Sequence, residues 1–164
     1  MSNVVVVDDK DEVIGTMERE ESHRTGTPHR IVVVYVENDK GQILIQVRMT
    51  GRLDHSSAGH VDVGESYEDA ACRELEEELG IRGVTLLSVG KATSEEILLE
   101  DDQHRVHVMQ IYRCVAAPGE LQLDEVKDVY WAEPEEVQRE MLDNPQDRKF
   151  SGGFRASLPV YLNR

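Results

Sequence analysis

Short β-branched runs separated by charged turns fill the first third of the chain. Val4–Val7 and Val13–Met17 read as strands around the polar turn Asp8–Glu12. Met17–Pro28 is charged and closes on Thr25-Gly26-Thr27-Pro28, a loop pattern. Arg30–Val36 and Gln42–Val47 flank Asn38-Asp39-Lys40-Gly41, a hairpin signal, and a loop over Met49–Ala58 follows. The period then turns helical. Ser66 with Asp69 three residues on forms a capping pattern, and Gly80 supplies the left-handed stop, so a helix is predicted over Tyr67–Leu79. Ala71, Cys72, Leu75 and Leu79 share one arc of about 100° on its wheel, while Glu74, Glu77 and Glu78 fall on another.

Beyond that helix, Val84–Val89 and Arg105–Val115 read as strands, with Thr93–Gln103 an acidic loop between them. Pro118-Gly119 marks a turn and Val126–Ala132 a further strand. Pro134 at a first-turn position predicts a helix over Glu133–Met141. Ser151-Gly152-Gly153 breaks the chain before a last helix, Phe154–Leu162. Strands around one central helix, with helices after them and no repeat or linker, fit a mixed sheet covered by helices.

Composition narrows the picture. A chain of 164 residues with 39% hydrophobic content is expected to form a single domain, 1–164, with a substantial core. No apolar run approaches the 18 or so residues of a membrane span. The start of the chain has no basic segment before its short apolar run, so a cytoplasmic protein is expected. A net charge of -15 disfavours binding to a nucleic acid polymer or an anionic membrane. An anionic substrate then needs metal ions or local arginines to reverse the field. The two cysteines lack metal-ligand spacing; Cys72 on the apolar arc and Cys114 in an apolar strand are expected to be buried thiols.

The glutamate arc changes the functional reading. Like charges three and four residues apart repel by up to about 0.5 kcal/mol per pair, so a cation against the stripe makes sense of it. Carboxylate oxygens suit Mg2+, or Mn2+. The surrounding residues fit G-x5-E-x7-R-E-U-x-E-E-x-G-U, with U a bulky aliphatic, at Gly59, Glu65, Arg73, Glu74, Leu75, Glu77, Glu78, Gly80 and Ile81. This resembles the Nudix box, the loop-helix-loop signature of the Nudix hydrolases.

The resemblance implies an α/β/α sandwich with a mixed β-sheet and a Mg2+-dependent hydrolase that cleaves a phosphoanhydride in a nucleoside diphosphate derivative or similar small diphosphate. It gives Glu77 and Glu78 the metal, with the backbone carbonyl of Ala58 as a further ligand. Glu74 becomes either a ligand or the group that orients and deprotonates water. Glu65 and Arg73 would pair across the loop-helix junction and hold the carboxylates in place. Glu76 lies off the stripe and reads as solvated. Glu95, Glu96, Glu100, Asp101 and Asp102 stand in reserve as a general base outside the box. Arg48 and Arg52, just before the box, suit bidentate contact with a diphosphate.

A second resemblance covers most of the chain before the box. His23, His29-Arg30, the run Lys40–Met49 and Gly59-His60 are similar to the Nudix branch containing type 1 isopentenyl-diphosphate isomerase. In that branch, histidines at positions like His23, His29 and His60 bind a second metal. Its catalytic cysteine precedes the Gly-His pair, where this chain has Ala58. Its glutamate on the strand after the box has no counterpart in Arg105–Val115, although His104 and His107 lie near that place. Isomerisation of isopentenyl diphosphate is therefore one rival to hydrolysis. A non-catalytic nucleotide-sensing module is another, opposed by the intact box.

Overall fold

The structure is a computed structural model and describes residues 2–164. The strands are β1 (Asn3–Val7), β2 (Val13–Glu18), β3 (His29–Glu37), β4 (Ile43–Arg48), β5 (Leu53–Asp54), β6 (Ser57–His60), β7 (Leu87–Leu98), β8 (Gln103–Val115) and β9 (Val126–Ala132). The helices are α1 (Arg19–Thr25), α2 (Tyr67–Leu79), α3 (Pro134–Asp143) and α4 (Gly152–Leu162). All nine strands join one mixed sheet. β3 runs through its centre, parallel to β8 and antiparallel to β1, β6 and the start of β4.

β3 is buried on both faces, as its nearly unbroken apolar run requires. Val32, Val34 and Val36 pack with Leu44 against Ala70, Ala71, Leu75 and Leu79 of α2. On the other face Ile31, Val33 and Tyr35 pack with Met109 and Ile111 against Phe154, Leu158 and Tyr161 of α4 and Met141 of α3. Helices thus cover both sides, giving the expected α/β/α arrangement. β3 and β4 pair only at Glu37 and Ile43, then diverge, and β6 fills the opening along β3. Inside the divergence, Gln46 donates to the Ser56 carbonyl and the Ser56 hydroxyl to the Leu44 carbonyl. This opening is where the box helix reaches the sheet.

Several expectations differ from the structure. The loop expected over Met49–Ala58 contains β5 and the first residues of β6, and the strand expected from Val84 begins at Leu87. Met17–Pro28 is not a plain loop, because Arg19–Thr25 forms α1, closed by Gly26 in the left-handed conformation (φ 69°). Thr93–Gln103 is not a loop either. β7 continues to Leu98 and a 3-10 turn over Leu99–Asp101 leads into β8. β7 pairs with β8 alone, so one edge faces solvent and carries charge. Cys72 is exposed, because the buried arc of α2 runs through Ala70 and Ala71; Cys114 is buried. Among the described residues, no helix is long and apolar enough to cross a membrane.

Candidate active site

The box helix α2 starts where its sequence says it should. Ser66 Oγ accepts from the Asp69 amide at 3.0 Å, and Gly80 closes the helix at φ 64°. The apolar arc fixes the helix on the sheet and thereby presses two glutamates against β6. Alternation along β6 turns Ser57 and Gly59 towards α2. Glu78 is 1% exposed; its Oε1 accepts from Ser57 Oγ at 2.7 Å and from the Ala58 amide at 3.1 Å. Its Oε2 lies 3.4 Å from Arg48 Nη1. Glu74 lies over Gly59, where an added Cβ would stand 2.1 Å from its carboxyl carbon. The first glycine of the motif is there because a carboxylate occupies the space of a side chain.

Arg73 organises the outer rim. Its Nε and Nη2 donate to Glu65 at 2.8 and 2.9 Å, and Nη2 also reaches the His60 carbonyl at 3.0 Å. Its Nη1 meets Glu74 at 2.7 Å and the exposed Glu77 at 3.3 Å. Hydrogen bonding to Glu65 raises the Arg73 pKa, and Arg73 in turn lowers that of Glu65. Glu74 and Glu78 behave oppositely. Burial, followed by the charge of Glu78, pushes Glu74 up to about 7. Burial also pushes Glu78 up to about 7, against the opposing pull of Ser57, Arg48 and the Ala58 amide. Two carboxylates whose burial and mutual repulsion penalise the ionised form gain from a hard cation beside them. The Ala58 amide points at Glu78, and an extended residue directs its N–H and C=O to the same edge, so the Ala58 carbonyl faces that side too. The donor set fits an oxygen-preferring divalent ion. Glu76 is tied only to exposed Arg82, away from this group.

An open cleft of about 530 Å³ adjoins the carboxylates. Arg48 and His60 belong to both, Arg48 through Glu78 and His60 through Arg73. Arg19 and Arg24 of α1 and Arg105 of β8 also line it, as do Asp101 and Asp102. The sequence reading missed these three arginines because they meet only in the folded sheet. Arg52 is engaged elsewhere. It holds Glu96 through Nη1 and Nη2 at 3.1 and 2.6 Å and donates to the carbonyls of Arg148 and Phe150. Glu96 also accepts from the Gly152 amide, so this pair joins β7 to α4. Glu95 faces His104 and Glu100 faces Arg148, leaving Asp101 and Asp102 as the reserve acids beside the cleft. A smaller cleft of about 320 Å³, lined by Tyr130, Trp131, Glu136 and Phe150 among others, touches none of the box residues.

His23 and His60 help to line the larger cleft, whose arginines are interleaved with Glu20, Asp101 and Asp102, and they meet His29 at its side. His60 Nε2 lies 3.2 Å from His29 Nε2 and 3.3 Å from His23 Nε2. His107 joins them, and one nitrogen from each of the four rings lies within 4.8 Å of the others. Burial keeps the imidazoles neutral, with His23 lowered to about 4 and His60 to about 2. His104 stays outside, on Glu95.

Comparison with known proteins adds relatives to this geometry. The family model described as "NUDIX domain" matches residues 27–152. An uncharacterized Nudix hydrolase, YfcD of Escherichia coli K12, is 36% identical over 141 residues, covering 82% of this chain and 75% of its own. Another from Pseudomonas aeruginosa, PA4841, is 30% identical over 135 residues, covering 79% and 77%. The crystal structure of DR0079 from Deinococcus radiodurans superposes with a TM-score of 0.74 at 23% identity, over 98% of this chain and 97% of that one.

Proposed function

This chain belongs to the NUDIX family and is a hydrolase of diphosphate linkages, and we propose that it cleaves a nucleoside diphosphate derivative or a similar small diphosphate with Mg2+ as cofactor. Mn2+ is the natural substitute. The whole chain, 1–164, acts as one catalytic domain of the cytoplasm. The observation that carries the reading is the paired burial of Glu74 and Glu78 beside an arginine-lined cleft, in a chain of net charge -15.

Glu77 and Glu78, the Ala58 carbonyl and Glu74 would hold the cation. A bound cation supplies charge neutralisation at the diphosphate oxygens and a more acidic water. The protein's own groups do the rest. Ser57 and the Ala58 amide fix the Glu78 carboxylate, and Arg73, anchored by Glu65, fixes Glu74. Glu74, buried beside Gly59 and held by Arg73, either completes the cation's ligands or orients and deprotonates the attacking water. Arg48, Arg19 and Arg105 receive the phosphates and spread their charge, while Arg24 at the rim is held by Glu21. Arg52 is spent on Glu96 and takes no part. No contact favours isomerisation. The methyl group of Ala58 neither gives nor takes a proton, and β8 brings no glutamate to the cleft.

The test is a release screen with Mg2+ over nucleoside diphosphate compounds, dinucleotides and isoprenoid diphosphates, run beside deuterium uptake from solvent into isopentenyl diphosphate. Hydrolysis of a panel member without deuterium uptake is expected. Deuterium in the isoprenoid product at a catalytic rate, with a silent hydrolase panel, would reverse the assignment.

A further inference from the structure

We infer that Asp11, in the turn between β1 and β2, is a positioning residue for the metal-binding carboxylates, acting through both ends of the loop that joins β6 to α2. The role rests on the hydrolase reading only in taking the box as the cation site, and metal binding without substrate reads it. Asp11 stands far ahead of the box in sequence and outside residues 27–152, the stretch shared with the family.

The turn is built to present this one side chain. Asp8 Oδ1 accepts from the amides of Lys10 and Glu12 at 2.9 Å, and the Asp11 amide donates to the Asp8 carbonyl at 3.1 Å. These bonds close the turn with Asp11 left-handed at φ 60°, a conformation that aspartate tolerates better than most side chains. Its side chain is only 7% exposed and meets donors from three other elements. Arg30 of β3 donates from Nε to Oδ1 at 2.8 Å and from Nη2 to the Asp11 carbonyl at 2.7 Å. The Tyr67 hydroxyl lies 3.0 Å from both carboxylate oxygens, and Lys91 of β7 reaches Oδ2. Arg30 and Lys91 also stand against the Tyr67 ring, 4.8 and 5.4 Å from its centre. Without the carboxylate, two cations would share one ring with no counter-charge between them.

Two of these partners hold the ends of the loop 61–66. Tyr67 is the first residue of α2, and the Arg30 carbonyl accepts from the Val61 amide at 3.2 Å, just beyond β6. Between those ends, Glu65 accepts from the Asp62 amide at 3.0 Å and holds Arg73 by two bonds. Arg73 in turn donates to Glu74 and Glu77. Asp11 thus fixes the span whose Glu65 anchors the arginine that aims two box carboxylates. Removing outer partners of metal ligands weakens metal binding by about 10–100-fold. Asp11 stands a further step out, which sets the expectation at the lower end.

Full-length protein is titrated with Mn2+ in the absence of substrate, the free ion being counted by its electron paramagnetic resonance signal. The box site is the equivalent that Glu77→Gln combined with Glu78→Gln removes. Asp11→Ala should weaken that equivalent about tenfold. Asp11→Asn keeps an acceptor and suits φ 60°, so it should fall between. Tyr67→Phe keeps the ring, loses the hydroxyl and should weaken Mn2+ in the same direction; it carries the test if Asp11→Ala does not fold. Val5→Ala, at a buried position of β1 that bonds to none of these groups, should lower Tm and keep the Mn2+ affinity, which separates aim from stability. Unchanged Mn2+ affinity in Tyr67→Phe and the Asp11 variants, an equal loss in Val5→Ala, or no equivalent removed by the double glutamate variant would overturn the role. A silent hydrolysis panel beside the expected Mn2+ pattern would count against the hydrolase reading alone.

Discussion

At the scale of single residues, Glu78 and Glu76 sit two positions apart on one helix and answer to different surroundings. Glu78→Gln keeps the side chain's shape and removes a charge and a hard ligand. Turnover should fall by about 10²-fold or more, whereas Glu76→Gln, bonded only to Arg82 at the surface, should leave it within about twofold. Steady-state kinetics on the two variants checks this, and equal losses would return the stripe to ordinary surface charge. The raised carboxylates also set a pH dependence. Glu74 and Glu78 titrate near 7 in the folded, metal-free protein, against the ordinary 4.5. Between those values the folded state binds more protons than the unfolded one, so these groups add stability as pH falls from about 7 towards 4.5 and withdraw it as pH rises. Melting in chelator should therefore show these two carboxylates costing stability at pH 8 relative to pH 5. Millimolar Mg2+ should raise Tm more at pH 8, where both groups are ionised. Glu77→Gln combined with Glu78→Gln should abolish the Mg2+ response.

At the scale of elements, legibility followed locality. α2 and β9 begin and end where the sequence places them, because cap, stop and period all lie within their own spans. α1 escaped because its seven residues, from Arg19 to Thr25, carry no apolar stripe; an Arg24–Glu21 pair and the Gly26 cap were its only local marks. The far half of β7 read as loop because an edge strand tolerates Glu95 and Glu96 where a central one would not. The candidate site divides in the same way. The box is local and could be read, whereas Arg105 reaches the cleft only through strand pairing and Arg19 only through the packing of α1 on β8. Arg52 shows the cost of judging by residue type alone, since its guanidinium holds β7 to α4. Arg52→Ala should lower stability by about 1–3 kcal/mol with KM unchanged, while Arg105→Gln should raise KM and leave Tm nearly as it was. Denaturation and kinetics on both variants separate the two roles; the reverse pattern would return Arg52 to the substrate.

For the whole molecule, a chain of net charge -15 surrounds a cleft where four arginines outnumber three acids, Glu20, Asp101 and Asp102. Added salt shortens the reach of the outer field more than it weakens arginines already in contact with phosphate. Raising KCl from about 10 to about 150 mM should therefore increase kcat/KM for a diphosphate; a fall would mean that the cleft dominates at long range. The parallel ladder between β3 and β8 has a different consequence. It joins residue 29 to residue 107, and β6, α2 and β7 all lie in the stretch of chain between them. Closing so long a loop costs entropy before any contact returns it, which puts folding towards the slower, millisecond-to-second end for domains of this size. The hairpins β1–β2 and β7–β8 need no such closure and are free to form first. While a ribosome is still feeding out β8, the box helix therefore has its sequence but not its platform. Carboxylates that must be held apart against their own repulsion come under restraint only when the last central strand docks.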